Sequence, residues 1–276
     1  MRVDARGLTF EVRTGGPSGG APVVLLHGFP QHSGEWDEVV PALHAAGLRT
    51  YALDQRGYSP GARPAAVAEY RIPELVADVV AVLDALGLDA VHLVGHDWGA
   101  VVAWAMAAEH PARVRTLTAV SVPHPAAMAH ALANDGQQKA RSSYIALFRK
   151  PEKAEKVLLA WNATALRKLL GGVGDATRVA RYADPMREPG ALTAALNWYR
   201  AMSRADLADV GPVAVPTTYL WSDRDIAIGR TAADACAANV TGDYRFVQLP
   251  GVSHWIPDAA PGPLAEAILA RVGGAA

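Results

Sequence analysis

Residues 90–100, "AVHLVGHDWGA", join an apolar run to a stretch of helix formers through a turn that has Gly95 and Gly99 on either side of Asp97. Glycines so placed let a strand and a helix approach closely, which is needed only when the residue between them is held out at the rim in a strained conformation. A strand apolar on both faces belongs in a parallel sheet covered by helices on both sides. The pattern recurs: "PVVLLHG" at 22–28 and "RTYALDQRG" at 49–57 predict further buried strands, and "LTFEVRT" at 8–14 predicts an outer one. Between two of these, Leu75, Val79, Val82, Leu83 and Leu86 fall on one helical face, with Gly87 where a C-cap belongs.

After "RTLTAVSVPHP" the alternation stops. From Ala126 to Pro212 the sequence predicts only helical segments rich in Ala, Leu, Lys and Arg, and "VPTTYLWSDRD" and "YRFVQLPGVSH" then restore strands, with helices expected over 231–239 and 263–272. The division is a first core part, 1–125, an inserted helical lid, 126–212, and a second core part, 213–276. Leu147, Phe148, Trp161, Trp198 and Met202 in the lid suggest an apolar pocket.

Composition narrows the partners. A chain of 276 residues, 51% hydrophobic and 19% charged, can bury one large core plus an excursion. A formal net charge of −1 supplies no basic field for nucleic acid or an anionic membrane. The single cysteine, Cys236, allows no intrachain disulfide and no Cys-rich metal site, and no apolar run reaches the ~18 residues of a membrane span. A cytoplasmic monomer or homodimer is expected, with no cofactor and no metal.

In an open parallel sheet, chemistry collects beyond the carboxyl ends of the strands. The polar residues placed there are His27, Asp54, Asp97, Asp225 or Asp223, and His254. Each member of the order nucleophile, acid, histidine comes just after a predicted strand. In these features the chain resembles the α/β-hydrolase fold family, a mostly parallel central sheet flanked by helices, and the likeness runs from Leu8 to Val272. Within that family it looks most like the cap-bearing epoxide hydrolases, on "HGFPQ" at 27–31, "DQRGYS" at 54–59, "GHDWGA" at 95–100, "SVPHP" at 121–125, "SHW" at 253–255, "SSYIALFRKP" at 142–151 and "LNWYR" at 196–200.

Asp97 stands where that family often has a serine. A carboxylate attacking an ester carbonyl would form a more reactive anhydride, whereas attack on a saturated carbon gives an ordinary alkyl ester, provided a strained epoxide oxygen or a halide departs. Water activated by His254 would then cleave that ester at its carbonyl carbon, with the oxyanion held by the backbone N–H groups of Phe29 and Trp98. Asp225 is the expected partner of His254, with Asp223 the alternative, because the family's spacing selects Asp225 although Ser222 stands in its glycine position.

The resemblance further implies that Tyr144 and Tyr199, the two cap tyrosines, protonate an epoxide oxygen as it opens. Trp98, Phe29 and Pro30 are expected to face a small apolar epoxide-type substrate. A haloalkane or haloacid dehalogenase would share Asp97 and His254, but such enzymes often carry Asn after the HG pair, where this chain has Phe29, or Arg after the nucleophile, where it has Trp98. A hydrolase-fold binding module with little turnover is a third alternative. The remaining polar residues have structural expectations: His27 in the oxyanion loop, an Asp54–Arg56 pair across a turn, His96 with no chemical step, and His124 at the hinge into the lid.

Overall fold

The apolar runs become the centre of one eight-stranded sheet in the computed structural model, which describes residues 1–274. The strands are β1 (Arg2–Ala5), β2 (Leu8–Gly15), β3 (Pro22–Leu26), β4 (Arg49–Asp54), β5 (Val91–His96), β6 (Val114–Val120), β7 (Thr217–Arg224) and β8 (Tyr244–Ser253). Their order is β1-β2-β4-β3-β5-β6-β7-β8. Pairings from β4 through β8 are parallel, and β2 is antiparallel to both β1 and β4. All six residues of β5 are buried, His92 and His96 among them, as a strand covered on both faces requires. "LTFEVRT" is not the outermost strand: β1 covers that edge, a four-residue segment too short to reveal a period, with Val3 and Ala5 turned inward.

Before the lid come helices α1 (Val40–Ala45), α2 (Ile72–Ala85) and α3 (Trp98–Glu109). The lid region carries α4 (Pro125–Asn134), α5 (Gly136–Arg141), α6 (Ile145–Phe148), α7 (Lys153–Leu169), α8 (Ala176–Ala183), α9 (Ala191–Ala201) and α10 (Arg204–Ala208). After it come α11 (Arg230–Asp234), α12 (Ile256–Ala259) and α13 (Pro261–Gly273). One apolar cluster joins α1 and α13 to one face of the sheet; a larger one joins α2, α3 and the lid to the other. The stop at α2 is the one read from sequence, with Gly87 at φ +67°. The helix expected over 231–239 is instead α11 followed by a 3₁₀ turn, Ala235–Asn239.

Two further expectations change. Arg56 does not pair with Asp54: its guanidinium makes a buried bidentate contact with Asp78 on α2, at 2.5 and 2.6 Å, while Asp54 Oδ1 accepts the Ser33 N–H at 2.7 Å. Residues distant in sequence outcompete the neighbour because each carboxylate points to the nearest donor the fold supplies. Trp161 lines no pocket; α7 breaks at Ala160–Ala163, and the indole is left 89% exposed. His124 lies where the chain leaves the sheet for the lid, at the start of α4. Its Nδ1 accepts the Ala126 N–H at 3.2 Å and its Nε2 donates to the Gly211 carbonyl at 3.1 Å, tying the departing chain to the returning one. Among the described residues no helix is long and apolar enough to cross a membrane.

Candidate active site

The turn between β5 and α3 is strained as its glycines predict. Asp97 sits at φ 51°, ψ −118°, a region costly for any residue with a Cβ. A Cβ at Gly95 would run into the Gly99 carbonyl, one at Gly99 into the Leu26 carbonyl, and one at Gly28 into the Asp97 side chain. The three glycines therefore bring β3, β5 and α3 together beneath one carboxylate. Asp97 Oδ1 accepts the Phe29 N–H at 2.8 Å, and the amide of Trp98 opens the helix beside it.

His254 comes directly after β8 and faces Asp97 across 3.4 Å, Nε2 to Oδ2. Its other nitrogen donates to Asp225 Oδ2 at 2.7 Å. Asp225 is aimed by the N–H groups of Ala227 and Ile228, which both donate to its Oδ1 at 2.7 and 2.8 Å. Asp223 turns away and accepts the Gly251 N–H at 2.7 Å. Burial alone would lower the His254 pKa, but Asp225 and Asp97 outweigh it and push the imidazole up to about 10. Burial works against ionising Asp97, and the facing imidazolium and the Phe29 amide outweigh that, holding the carboxyl below its usual range. In the resting site the pair is thus carboxylate and imidazolium.

Behind His254 lies a layer that the sequence did not reveal. Its backbone carbonyl accepts from Ser121 Oγ at 2.7 Å and from His96 Nε2 at 3.1 Å. Burial lowers the His96 pKa to about 4, so the ring is neutral and its Nδ1 is an acceptor. Glu35 Oε2 lies 3.3 Å from that nitrogen, and burial raises the Glu35 carboxyl well above its usual range. In "SGEW" nothing marks Glu35 as buried; only packing beneath the "HGFPQ" loop removes it from water. His27 serves that loop, donating through Nδ1 to the Gly28 carbonyl at 3.0 Å and accepting the Gln55 N–H at 3.1 Å.

A cavity of about 660 Å³, counting its open mouth, rises from Asp97 into the lid. Trp98, Tyr144 and Tyr199 line it with Asp97, and its walls include Val101, Val122, Met128, Leu132, Met202 and Ile228. The rings of Tyr144 and Tyr199 lie 6.2 Å apart, and Trp98 packs edge-on to Tyr199 at 5.2 Å. Burial raises both phenol pKa values, with Asp97 adding to it, so both hydroxyls keep their protons at neutral pH. Phe29 and Pro30 are not among the cavity's walls; the Phe29 ring packs on Phe148 and Tyr199 at 5.4 and 5.3 Å. Trp198 is also internal, donating its indole N–H to the Arg56 carbonyl at 2.9 Å. Among the described residues no three of His, Cys, Asp and Glu converge as a metal ion would need.

The family pattern described as the alpha/beta hydrolase fold matches residues 21–261. The chain is 33% identical over 273 residues to AB hydrolase superfamily protein YfhM of Bacillus subtilis, covering 97% of this chain and 95% of that protein. It is also 33% identical to epoxide hydrolase A of Mycobacterium tuberculosis, again covering 97% of this chain and 95% of that protein. Among solved structures, the epoxide hydrolase of Bacillus megaterium in complex with an inhibitor superposes with a TM-score of 0.90, at 25% identity, over 99% of this chain and 100% of that one.

Proposed function

The chain belongs to the α/β hydrolase fold family, and within it we propose that this protein is an epoxide hydrolase working through a covalent ester on Asp97. One observation carries the reading: a carboxylate, not a hydroxyl, occupies the strained turn, faces His254 at 3.4 Å, and shares its cavity with two protonated phenols. Relatives named as epoxide hydrolases support the same assignment.

In the first step Asp97 attacks an oxirane carbon, the C–O bond breaks, and the departing oxygen takes a proton from Tyr144 or Tyr199. Esterification removes the negative charge facing His254, which lowers the pKa that this charge helped to raise. The imidazolium can then release its proton, restoring the phenol. Now neutral, His254 takes a proton from water as that water attacks the ester carbonyl, and the Phe29 and Trp98 amides hold the oxyanion. Collapse of the tetrahedral intermediate yields the diol, Asp97 carboxylate and His254 imidazolium, the state from which the cycle began. Asp225 keeps the ring oriented throughout and stabilises its positive form.

Incubating the purified protein with a chromogenic epoxide and, separately, with 1-bromoalkanes tests this reading. Diol formation without halide release is expected. Halide release without diol would move the assignment to a dehalogenase, and neither product would leave a binding protein.

A further inference from the structure

The net charge of −1, too small to give the whole molecule a basic field, hides an uneven distribution. The chain has five lysines, Lys139, Lys150, Lys153, Lys156 and Lys168, and all of them fall in the lid. Residues 149–168 carry six Lys and Arg against two Glu, a local charge of +4. Among the described residues no lysine is in an ion pair, whereas arginines pair across the chain, as Arg56 does with Asp78, Arg113 with Asp84 and Arg271 with Asp243. Within the segment Arg167 is taken by Asp184, and Glu155 by Arg200. Arg149 and the last four lysines are exposed.

Apolar side chains stand among these charges. Lys153, Lys156 and Val157 share one face of α7 by their spacing, and Val157 is 41% exposed. One turn further on, the helix breaks at Trp161–Ala163, three residues other than glycine held at φ 52–59°, and the Trp161 indole is left 89% exposed. We propose that this part of the lid docks the protein reversibly on an anionic lipid surface, with the ammonium groups among the lipid phosphates and the Trp161 ring at headgroup level. Lysine suits a fluid interface, because its flexible stem lies along apolar surface while the charge stays in water; the rigid fork of arginine is the better match to nucleic-acid phosphates. An indole gains from the same boundary, being apolar in body and polar at one edge. A second copy is a poor occupant, since two patches of +4 repel. Arg149 follows the cavity residue Tyr144 by only five positions, so docking would bring the lid of the cavity itself to the lipid.

The proposal holds whatever reaction Asp97 performs, and its test needs no turnover. Native protein is sedimented at low salt with vesicles of phosphatidylcholine alone, or with one third phosphatidylglycerol. Only the anionic vesicles should retain it, and about 0.5 M salt should release it. Lys153→Gln with Lys156→Gln should weaken binding roughly 30-fold, at about fivefold per lysine. Trp161→Ala should weaken it about 10-fold. Arg115→Gln with Arg245→Gln removes the same charge from exposed positions at the amino ends of β6 and β8, away from the active-site end of the sheet. That control should change binding by less than about 2-fold, because those positions lie far beyond a screening length from the lipid. Equal retention by both kinds of vesicle, retention by neither, or equal losses in the two double variants overturns the proposal. Polyuridylate bound more tightly than anionic vesicles at the same salt would overturn it too, and assign the lysines to nucleic acid.

Discussion

The two walls of this site are built by different means. The lower wall, on the strand ends, is fixed by backbone: a positive φ at Asp97, glycines that admit no Cβ, and paired amides that aim Asp225. The upper wall, in the lid, is fixed by rings: Tyr144, Phe148 and Tyr199 hold one another edge to face. Backbone geometry locates an atom to a fraction of an ångström and tolerates few substitutions. Ring packing locates it more loosely and can be recut, so the lower wall suits the chemistry proposed for Asp97 and the upper wall would suit choice of substrate.

That contrast can be broken most directly at the lower wall. Asp97→Asn should lose roughly 10⁴-fold or more in kcat, since the nucleophile is gone. His254→Gln should be as inactive yet accumulate an adduct whose added mass equals the substrate, read by intact-protein mass spectrometry. An inactive His254→Gln protein with no adduct, despite bound substrate, would count against a covalent intermediate. Asp225→Asn should cost about 10³- to 10⁴-fold, by leaving the imidazole in the wrong tautomer, with little change in KM. At the upper wall the losses should be smaller: about 10-fold for Tyr144→Phe or Tyr199→Phe alone and about 10³-fold for the pair, confined to the alkylation step seen in single-turnover kinetics. Full activity in the double variant would remove the lid from the chemistry. Neither single change should lower stability by more than about 1 kcal/mol, because ring packing survives the loss of a hydroxyl.

The smallest expected effect is on the pH dependence of stability, and it should also divide between the walls. His254 has a folded pKa raised from 6.5 to about 10, so its contribution is fully present below pH 6.5 and is lost as pH rises through about 10. His27 and His96 are lowered to about 4 by burial; the unfolded chain binds protons there first, so stability also falls as pH drops from 6.5 toward 4. A thermal melt series should therefore decline on both sides of a maximum near pH 6.5. In Asp97→Asn the alkaline decline should be smaller and end at lower pH, because one of the two carboxylates that raise His254 is gone. The lid tyrosines stay protonated across this range and should leave the profile unchanged when replaced by Phe.

Much of the lower wall was legible in the sequence, for a local reason. A strand, a glycine-flanked turn and a helix are written in consecutive residues, and Asp97 and His254 are found as the polar residues just beyond two strand ends. Asp225 was selected over Asp223 by the spacing of the family it resembles, and the fold turns the first toward His254 and the second toward Gly251. Arg56 illustrates the limit of local reading, since the Asp78 that pairs with it lies 22 residues on, across the β4 to α2 connection. Glu35 carried no signal at all, because its raised pKa comes from burial and burial is a property of the assembled molecule.

Local pattern in the chain was enough for the succession of strands and helices, the strained turn and the positions of Asp97 and His254 just beyond strand ends, since periodicity and glycine placement act over a few residues. Three-dimensional packing had to bring Asp225 onto His254 and to set the Phe29 ring against Phe148 and Tyr199. It also left Trp161 facing solvent while Met202 lines the cavity above Asp97. Apolar side chains that pack and apolar side chains that line a cavity are chemically the same residues. What separates them is whether another part of the chain arrives to fill the space in front of them.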